Sequence, residues 1–175
     1  MTQAVDIDNL LNDLAERLTE YLANVGAKQP LMIGIHSGGV WVAERLHQQL
    51  DLHDPLGHLD ISFYRDDFSR IGMNPQVKPS HLPFTVDDRH IILVDDVLYT
   101  GRTIRAALNE IFDYGRPASV SLAVLIDRGG RELPIEANIT GLKMDLASGE
   151  NVKLQGPDPL SLHVANKDAE QEGTE

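Results

Sequence analysis

The run Ile91-Ile92-Leu93-Val94-Asp95-Asp96-Val97-Leu98-Tyr99-Thr100-Gly101-Arg102-Thr103 constrains the fold of this chain more than any other stretch. Its four leading apolar residues read as a strand covered on both faces, as in a parallel sheet. Two carboxylates follow at once, where such a strand is expected to leave the core. Behind them a short turn carries Thr100, Gly101 and Thr103. An amphipathic helix is expected to open near Gly101, with Ile104, Ala107, Leu108 and Ile111 on its buried face. A helix N-terminus behind a glycine-and-hydroxyl turn offers backbone N–H groups and the positive end of the helix dipole to a phosphate. The adjacent carboxylates can accept hydrogen bonds from sugar hydroxyls. The stretch reads as a site for a phosphorylated sugar.

The preceding residues supply a second unit of the same kind. Ile7, Leu10, Leu11, Leu14, Leu18, Tyr21, Leu22 and Val25 recur at spacings of three and four, an amphipathic helix that Asp6 or Asp8 can cap. Leu31-Met32-Ile33-Gly34-Ile35 predicts a core strand, His36-Ser37-Gly38-Gly39 a turn, and Val40, Val42, Ala43, Leu46 and Leu50 a helix to about residue 50. Glycines at such a turn either permit a tight bend or let backbone N–H groups approach an anion. Leu59 to Arg65 alternates and is expected to be a strand. Asp66 to His90 shows little periodicity. With Arg65, Arg70 and Lys78 in or beside it, the segment reads as a mobile cover for an anionic ligand.

Val120 to Ile126 predicts a further core strand, ending in the polar turn Asp127-Arg128-Gly129-Gly130-Arg131. Shorter strands are expected at Ile135–Thr140, Asn151–Gln155 and Ser161–Val164, and a frayed acidic tail at about 166–175. Strands alternating with helices indicate an α/β fold with a mainly parallel sheet, whose ligands bind beyond the carboxyl ends of the strands. Three strand ends, at 36–39, 95–103 and 127–131, carry glycines, hydroxyls or charges that can converge there.

Composition sharpens this reading. A length of 175 residues suits one domain. The absence of cysteine excludes a thiolate nucleophile or a disulfide framework and suits a reducing cytosol. No signal peptide and no membrane span is visible, so a cytoplasmic location is expected. The net charge of −12 lies wholly in the two ends, because the nine acids and nine bases of residues 65–131 cancel. That pattern suits an anionic small molecule near the middle segment better than broad attraction to nucleic acid. There is neither a Gly-x-Ser-x-Gly elbow for a hydrolase nor a Walker phosphate loop. His81 and His90 read as surface residues.

Val94 to Thr103 resembles the phosphoribosyl pyrophosphate (PRPP) motif of type I phosphoribosyltransferases. Tyr64-Arg65-Asp66-Asp67, Gly115-Arg116-Pro117, Leu122 to Gly129 and Arg131-Glu132-Leu133-Pro134 narrow the resemblance to the PyrR family of pyrimidine operon regulators, which are also uracil phosphoribosyltransferases. The likeness runs from about Leu31 to Gly141. It implies a three-layer fold of one domain with a mainly parallel sheet, a flexible loop and a small C-terminal hood.

The resemblance further implies roles for individual residues. Asp95 and Asp96 would hold the ribose hydroxyls of PRPP or UMP, with Arg65 joining them in catalysis. Val97, Leu98, Tyr99, Thr100, Gly101, Arg102 and Thr103 would surround the 5′-phosphate. Ser37 and Gly38 would form the pyrophosphate loop, where an unusual peptide is typical of the fold. Tyr64, Arg65, Asp66, Asp67 and Lys78 would belong to the flexible loop. Arg128 and the backbone near Val152 would line the uracil side; in the alternative, Arg128 pairs with Asp127 or Glu132. Mg²⁺ would arrive bound to PRPP, with no metal cage of protein groups. PRPP, uracil, UMP and UTP are the implied ligands, and at least a homodimer is the implied assembly.

At several positions the sequence departs from the family. His36 and Gly38 replace a usual Lys and Arg. Asn12, Asp13 and Glu16 stand where RNA-binding relatives tend to be basic or histidine-bearing, Gly130 where His is usual, and Glu136 where Arg is usual. Phosphate neutralisation needs Lys or Arg, so these changes argue against attenuator-type RNA binding. Three functions are therefore weighed: a uracil phosphoribosyltransferase that also regulates pyrimidine genes, a nucleotide-sensing regulator with little catalysis, and a purine-base salvage enzyme.

Overall fold

The computed structural model describes residues 4–61 and 80–166. Helix α1 (Ile7–Asn24) begins at Asp6, whose carboxylate accepts the Asn9 N–H at 3.1 Å, so Asp6 is the cap and Asp8 falls in the first turn. Its buried face is Ile7, Leu11, Leu14, Ala15, Leu18 and Leu22. Val25, expected in that stripe, is the C-cap and lies exposed because the helix has ended. Strand β1 (Leu31–Ile35), helix α2 (Gly38–Leu50) and strand β2 (Gly57–Leu59) follow. Then come β3 (His90–Leu98), α3 (Arg102–Tyr114), β4 (Ser119–Asp127), β5 (Ile139–Lys143), β6 (Glu150–Gln155) and β7 (Ser161–Asn166).

Strands β1 to β5 form one sheet in the order β2-β1-β3-β4-β5, every neighbouring pair parallel. Strands β6 and β7 pair antiparallel as a separate ribbon. Strand alternation sorts the core into two layers. Met32, Ile92, Val94, Ala123 and Leu125 pack with α1, α2 and the ribbon residues Val152 and Leu154. Leu31, Ile33, Ile35, Ile91, Leu93, Leu122 and Val124 pack with Ile104, Ala107 and Ile111 of α3. Burying a large apolar side chain contributes about 1.5–3 kcal/mol. A one-residue slip of a central strand would exchange its two faces, so this double layer fixes the register.

Three strands have a boundary more than two residues from the sequence expectation. Strand β3 does not end at Val94 but continues to Leu98, because β4 is equally long and keeps the ladder going: Asp95 is in register with Val124, Val97 with Ile126 and Leu98 with Asp127. Strand β2 is only Gly57–Leu59 rather than Leu59–Arg65; Ile61 beyond it is buried, and the rest of that expected strand lies outside the described residues. Strand β5 starts at Ile139 rather than Ile135. The Ile135 N–H is held in a turn by the Leu133 carbonyl at 2.8 Å, and Asn138 pairs with Leu122 through both its backbone and its side-chain oxygen. Residues 131–137 are thereby free to cover the start of α3.

The chain leaves β1 through α2 to reach β2 on one side, while β3 lies on the other side of β1. A crevice opens at such a reversal, beyond the carboxyl ends of the two strands.

Candidate active site

At this crevice the β1–α2 turn lies directly over the β3 carboxylates. A Cβ placed on Gly38 would be 2.6 Å from Asp96 Cγ, and one on Gly39 would be 2.8 Å from the Val94 carbonyl oxygen and 3.1 Å from Asp95 Cα. At Gly39 only hydrogen fits against the backbone, and at Gly38 a methyl enters only if the Asp96 side chain turns aside. These glycines therefore do more than permit a bend: they let a backbone turn seat on a pair of acids. The His36–Ser37 peptide at this turn is cis, the unusual peptide that the family resemblance implied. Ser37, exposed at the tip, precedes α2.

Asp95 is 5% exposed, the one buried charged residue among the described residues. Its Oδ1 accepts the Asp96 N–H at 2.9 Å, and Asp96 Oδ1 accepts the Val97 N–H at 2.9 Å. Each carboxylate is thus oriented by the backbone of the residue that follows it. Bonds of this charge-assisted kind contribute about 1.5–3 kcal/mol apiece. Two acids at a strand end, one buried and one half-buried, form a rigid acceptor pair suited to neighbouring hydroxyls.

The turn after β3 is held from outside. Leu98 is buried, Tyr99 is exposed, and Gly101 has φ 93° as the residue before α3. The N-cap Gly101 has no side chain to offer the start of α3, and of the first N–H groups that of Arg102 turns back to Thr100. The Thr100 hydroxyl oxygen accepts the Arg102 N–H at 3.2 Å. Two successive carbonyls are gripped by the segment beyond β4. The Tyr99 oxygen accepts from Arg131 Nη1 at 2.8 Å, and the Thr100 oxygen accepts from the N–H groups of Glu132 and Leu133 at 2.9 and 3.1 Å. Arg102 pairs with Glu132 at 2.9 Å across the same contact. Gly101 leaves room for this cover, since a Cβ there would stand 3.1 Å from Ile135 Cβ.

The third strand end closes the side wall. The Arg128 guanidinium lies 3.9 Å from the centre of the Tyr99 ring, a cation–π contact. Its Nη1 donates to Asn151 Oδ1 at 2.9 Å and its Nη2 to the Glu150 carbonyl at 3.2 Å, which ties the β6–β7 ribbon to the site. Its buried Nε has no partner among the described residues. Arg128 therefore makes neither of the ion pairs considered for it. Arg131 pairs with Asp127 instead, at 2.7 Å, and Arg102 takes Glu132. Burial pushes the Asp127 carboxyl up, but the Arg131 hydrogen bond, the Gly129 N–H and the charges of Arg131 and Lys143 outweigh it and leave the group below its ordinary value of 3.8. A Cβ at Gly130 would lie 2.5 Å from the Tyr99 ring, so glycine at this position makes room for the ring that Arg128 covers. The Val152 side chain is buried in the core beneath α1 and α2, so only its backbone is available to a ligand.

The structure thus brings together Ser37, Gly38, Asp95 to Thr103 and Arg128. Tyr64, Arg65, Asp66, Asp67 and Lys78 lie outside the described residues. Sequence reasoning missed the structural roles of Arg131 and Asn151. The spacing of Asp127 and Arg131 was a usable signal, whereas nothing local marks Asn151 as a partner of Arg128. No group of three or more His, Asp or Glu side chains among the described residues is arranged to hold a metal ion. A groove of about 620 Å³ between α1 and β5, lined by Arg17, Tyr21 and Lys143, lies apart from these strand ends.

Comparison with known proteins gives the family and the fold. The phosphoribosyl transferase domain family matches residues 2–158. Bifunctional protein PyrR of Nitrosococcus oceani is 64% identical over 163 residues, covering 92% of each chain. Its counterpart in Pseudomonas paraeruginosa is 57% identical over 153 residues, covering 87% of this chain and 90% of that one. Among solved structures, a hypoxanthine phosphoribosyl transferase of Trypanosoma cruzi superposes with a TM-score of 0.70 over 99% of this chain and 96% of its own, at 19% identity. A hypoxanthine phosphoribosyltransferase of Staphylococcus aureus gives 0.62 over 83% and 79%, at 20% identity. At such identities these structures speak to the fold alone.

Proposed function

Because this chain belongs to the PyrR family of phosphoribosyltransferases, we propose that it transfers the phosphoribosyl group of PRPP to uracil, giving UMP and pyrophosphate, and acts as a nucleotide-sensing regulator of pyrimidine biosynthesis genes. The observation that carries the catalytic reading is the seating of the Ser37–Gly39 turn on Asp95 and Asp96, beside the uncapped start of α3. In this reading the two carboxylates accept the ribose hydroxyls, and the N–H groups from Leu98 to Thr103, with the Thr100 and Thr103 hydroxyls, take the 5′-phosphate. Ser37 and Gly38 face the pyrophosphate. Arg128, Asn151 and the backbone at Val152 line the uracil side. Arg65 and the rest of the Tyr64–Asp67 segment, with Lys78, complete the site as its flexible cover.

As pyrophosphate leaves the sugar C1, the ribose acquires oxocarbenium character and a uracil nitrogen attacks the same carbon, its N–H proton passing to the departing pyrophosphate or to solvent. These side chains align the two partners and keep the sugar fixed, which accounts for most of what such a site must do. The acceptor set of Asp95 and Asp96 fits an ion that arrives on its substrate, since two carboxylates suit sugar hydroxyls and the waters such an ion keeps. Mg²⁺ bound with PRPP supplies charge stabilisation to the leaving pyrophosphate. The protein is expected to be cytoplasmic and at least dimeric. The acidic face of α1, with Gly130 and Glu136, weighs against attenuator-type RNA contact at those positions.

The test is UMP formation from uracil and PRPP with Mg²⁺, with hypoxanthine, guanine and adenine as competitors. Asp96→Asn is expected to lower turnover at least about tenfold, the cost of one charge-assisted hydrogen bond. Absence of UMP with the unsubstituted protein would refute the catalytic reading, and preference for a purine would reassign the base.

A further inference from the structure

Arg131 is surrounded by three separate pieces of chain, and its guanidinium bonds to all three. Nη2 meets Asp127 Oδ2 at the end of β4 (2.7 Å), Nη1 donates to the Tyr99 carbonyl (2.8 Å), and Nε donates to the Ile135 carbonyl (2.7 Å). Arg131 and Asp127 side chains are 23% and 13% exposed, so this is a sheltered ion pair rather than a surface one. The next two residues continue the grip, both N–H groups donating to the Thr100 carbonyl. In a planar trans peptide the carbonyl and the following N–H point in opposite directions. Holding the Tyr99 and Thr100 oxygens toward residues 131–133 therefore turns the Thr100 and Gly101 N–H groups away from that segment. The outward N–H groups of successive peptides form an anion-binding concavity. Here they extend the uncapped start of α3.

We infer that Arg131 is a positioning residue for the 5′-phosphate: by fixing the Tyr99 peptide through Asp127, it presets the backbone cradle before any ligand arrives. This rests on the phosphoribosyl reading of the site. The guanidinium fork is what allows three acceptors to be held at once, and an ammonium in its place keeps only part of the set. The effect must fall on the phosphate. A ligand lacking that group gains nothing from aligned N–H groups, whereas a phosphorylated one loses affinity as they splay.

The experiment compares UMP with uridine, both measured by titration calorimetry, in the unsubstituted protein, Arg131→Gln and Arg131→Lys. Loss of one charged hydrogen bond's alignment is expected to weaken UMP about tenfold in Arg131→Gln while uridine changes less than about twofold, with Arg131→Lys between. In steady-state assays the KM for PRPP is expected to rise more than kcat falls. Equal weakening of UMP and uridine, or unchanged UMP affinity, would overturn the inference. Should Arg131→Gln lose its folded circular-dichroism spectrum, Arg131→Lys carries the same comparison, and its UMP and uridine affinities support or overturn the inference in the same way. Failure of the unsubstituted protein to bind UMP would sink the functional reading itself, a result distinct from either.

Discussion

The fit of the β1–α2 turn over the acids gives the sharpest contrast to test, Gly38→Ala against Gly39→Ala. At residue 38 the added methyl would meet Asp96, with Cγ at 2.6 Å, which is the end of a side chain that can rotate. Rotation breaks the Asp96–Val97 bond of 2.9 Å, a loss of about 1.5–3 kcal/mol at a charged acceptor. Replacing a helical glycine by alanine returns up to about 1 kcal/mol. With the full helix gain the net cost is about 0.5–2 kcal/mol, or roughly 1–8 °C in Tm for a chain of this length. The carboxylate itself, however, has left its place, so UMP formation is expected to fall at least about tenfold.

At residue 39 the methyl would meet the Val94 carbonyl oxygen and Asp95 Cα, both backbone of the central strand. Neither can turn aside, so the start of α2 must move off the end of β3. Overpacking of this kind costs about 1–3 kcal/mol or more, with less of the helix gain recovered. Gly39→Ala is therefore expected to lose more Tm than Gly38→Ala, whereas Gly38→Ala keeps more of its Tm than of its activity. Thermal denaturation beside a uracil assay reads both. An active, unshifted Gly38→Ala would show that Asp96 does not lie beneath the turn, and would exclude a site built from a turn seated on carboxylates.

Two further outcomes follow from charge. Asp127 has its pKa below the ordinary 3.8, so its pairing with Arg131 stabilises fully above that value and the contribution is lost as pH falls through the lower, folded value. Asp127→Asn is expected to flatten that part of a Tm-against-pH curve between about pH 5 and pH 2; an unchanged acid limb would exclude the pair as a source of stability. In gel-shift assays at about 0.15 M salt, an RNA hairpin is expected to stay unshifted with or without UMP, because a chain of net charge −12 releases few counterions from phosphates. A UMP-dependent shift would refute that reading of the acidic α1 face.

The turn between β3 and α3 was legible because everything that defines it is contiguous. A buried apolar run, two acids, a small-residue turn and a helical period succeed one another within residues 91–111 and need no distant partner to be recognised. The same holds for α1, β1, α2 and β4, whose apolar spacing alone gives their type. Boundaries were less legible where a neighbour decides them. Strand β3 reaches Leu98 because β4 extends alongside it, and β5 waits until Ile139 because residues 131–137 are occupied over α3.

The sequence by itself determined an α/β chain with a strand end whose residue types suit a phosphate and two further polar strand ends capable of joining it, since local period and composition carry that information. Only the tertiary structure decided how those ends meet. The switch of strand order at β1 places Gly38 and Gly39 on Asp96 and Asp95, where the absent side chains become the reason the site can close. Of three arginines within reach of two acids, packing gave Asp127 to Arg131 and Glu132 to Arg102, and left Arg128 to Tyr99 and Asn151. Ion pairs obey distance in space, and spacing along the chain does not set it until the sheet has brought the strand ends together.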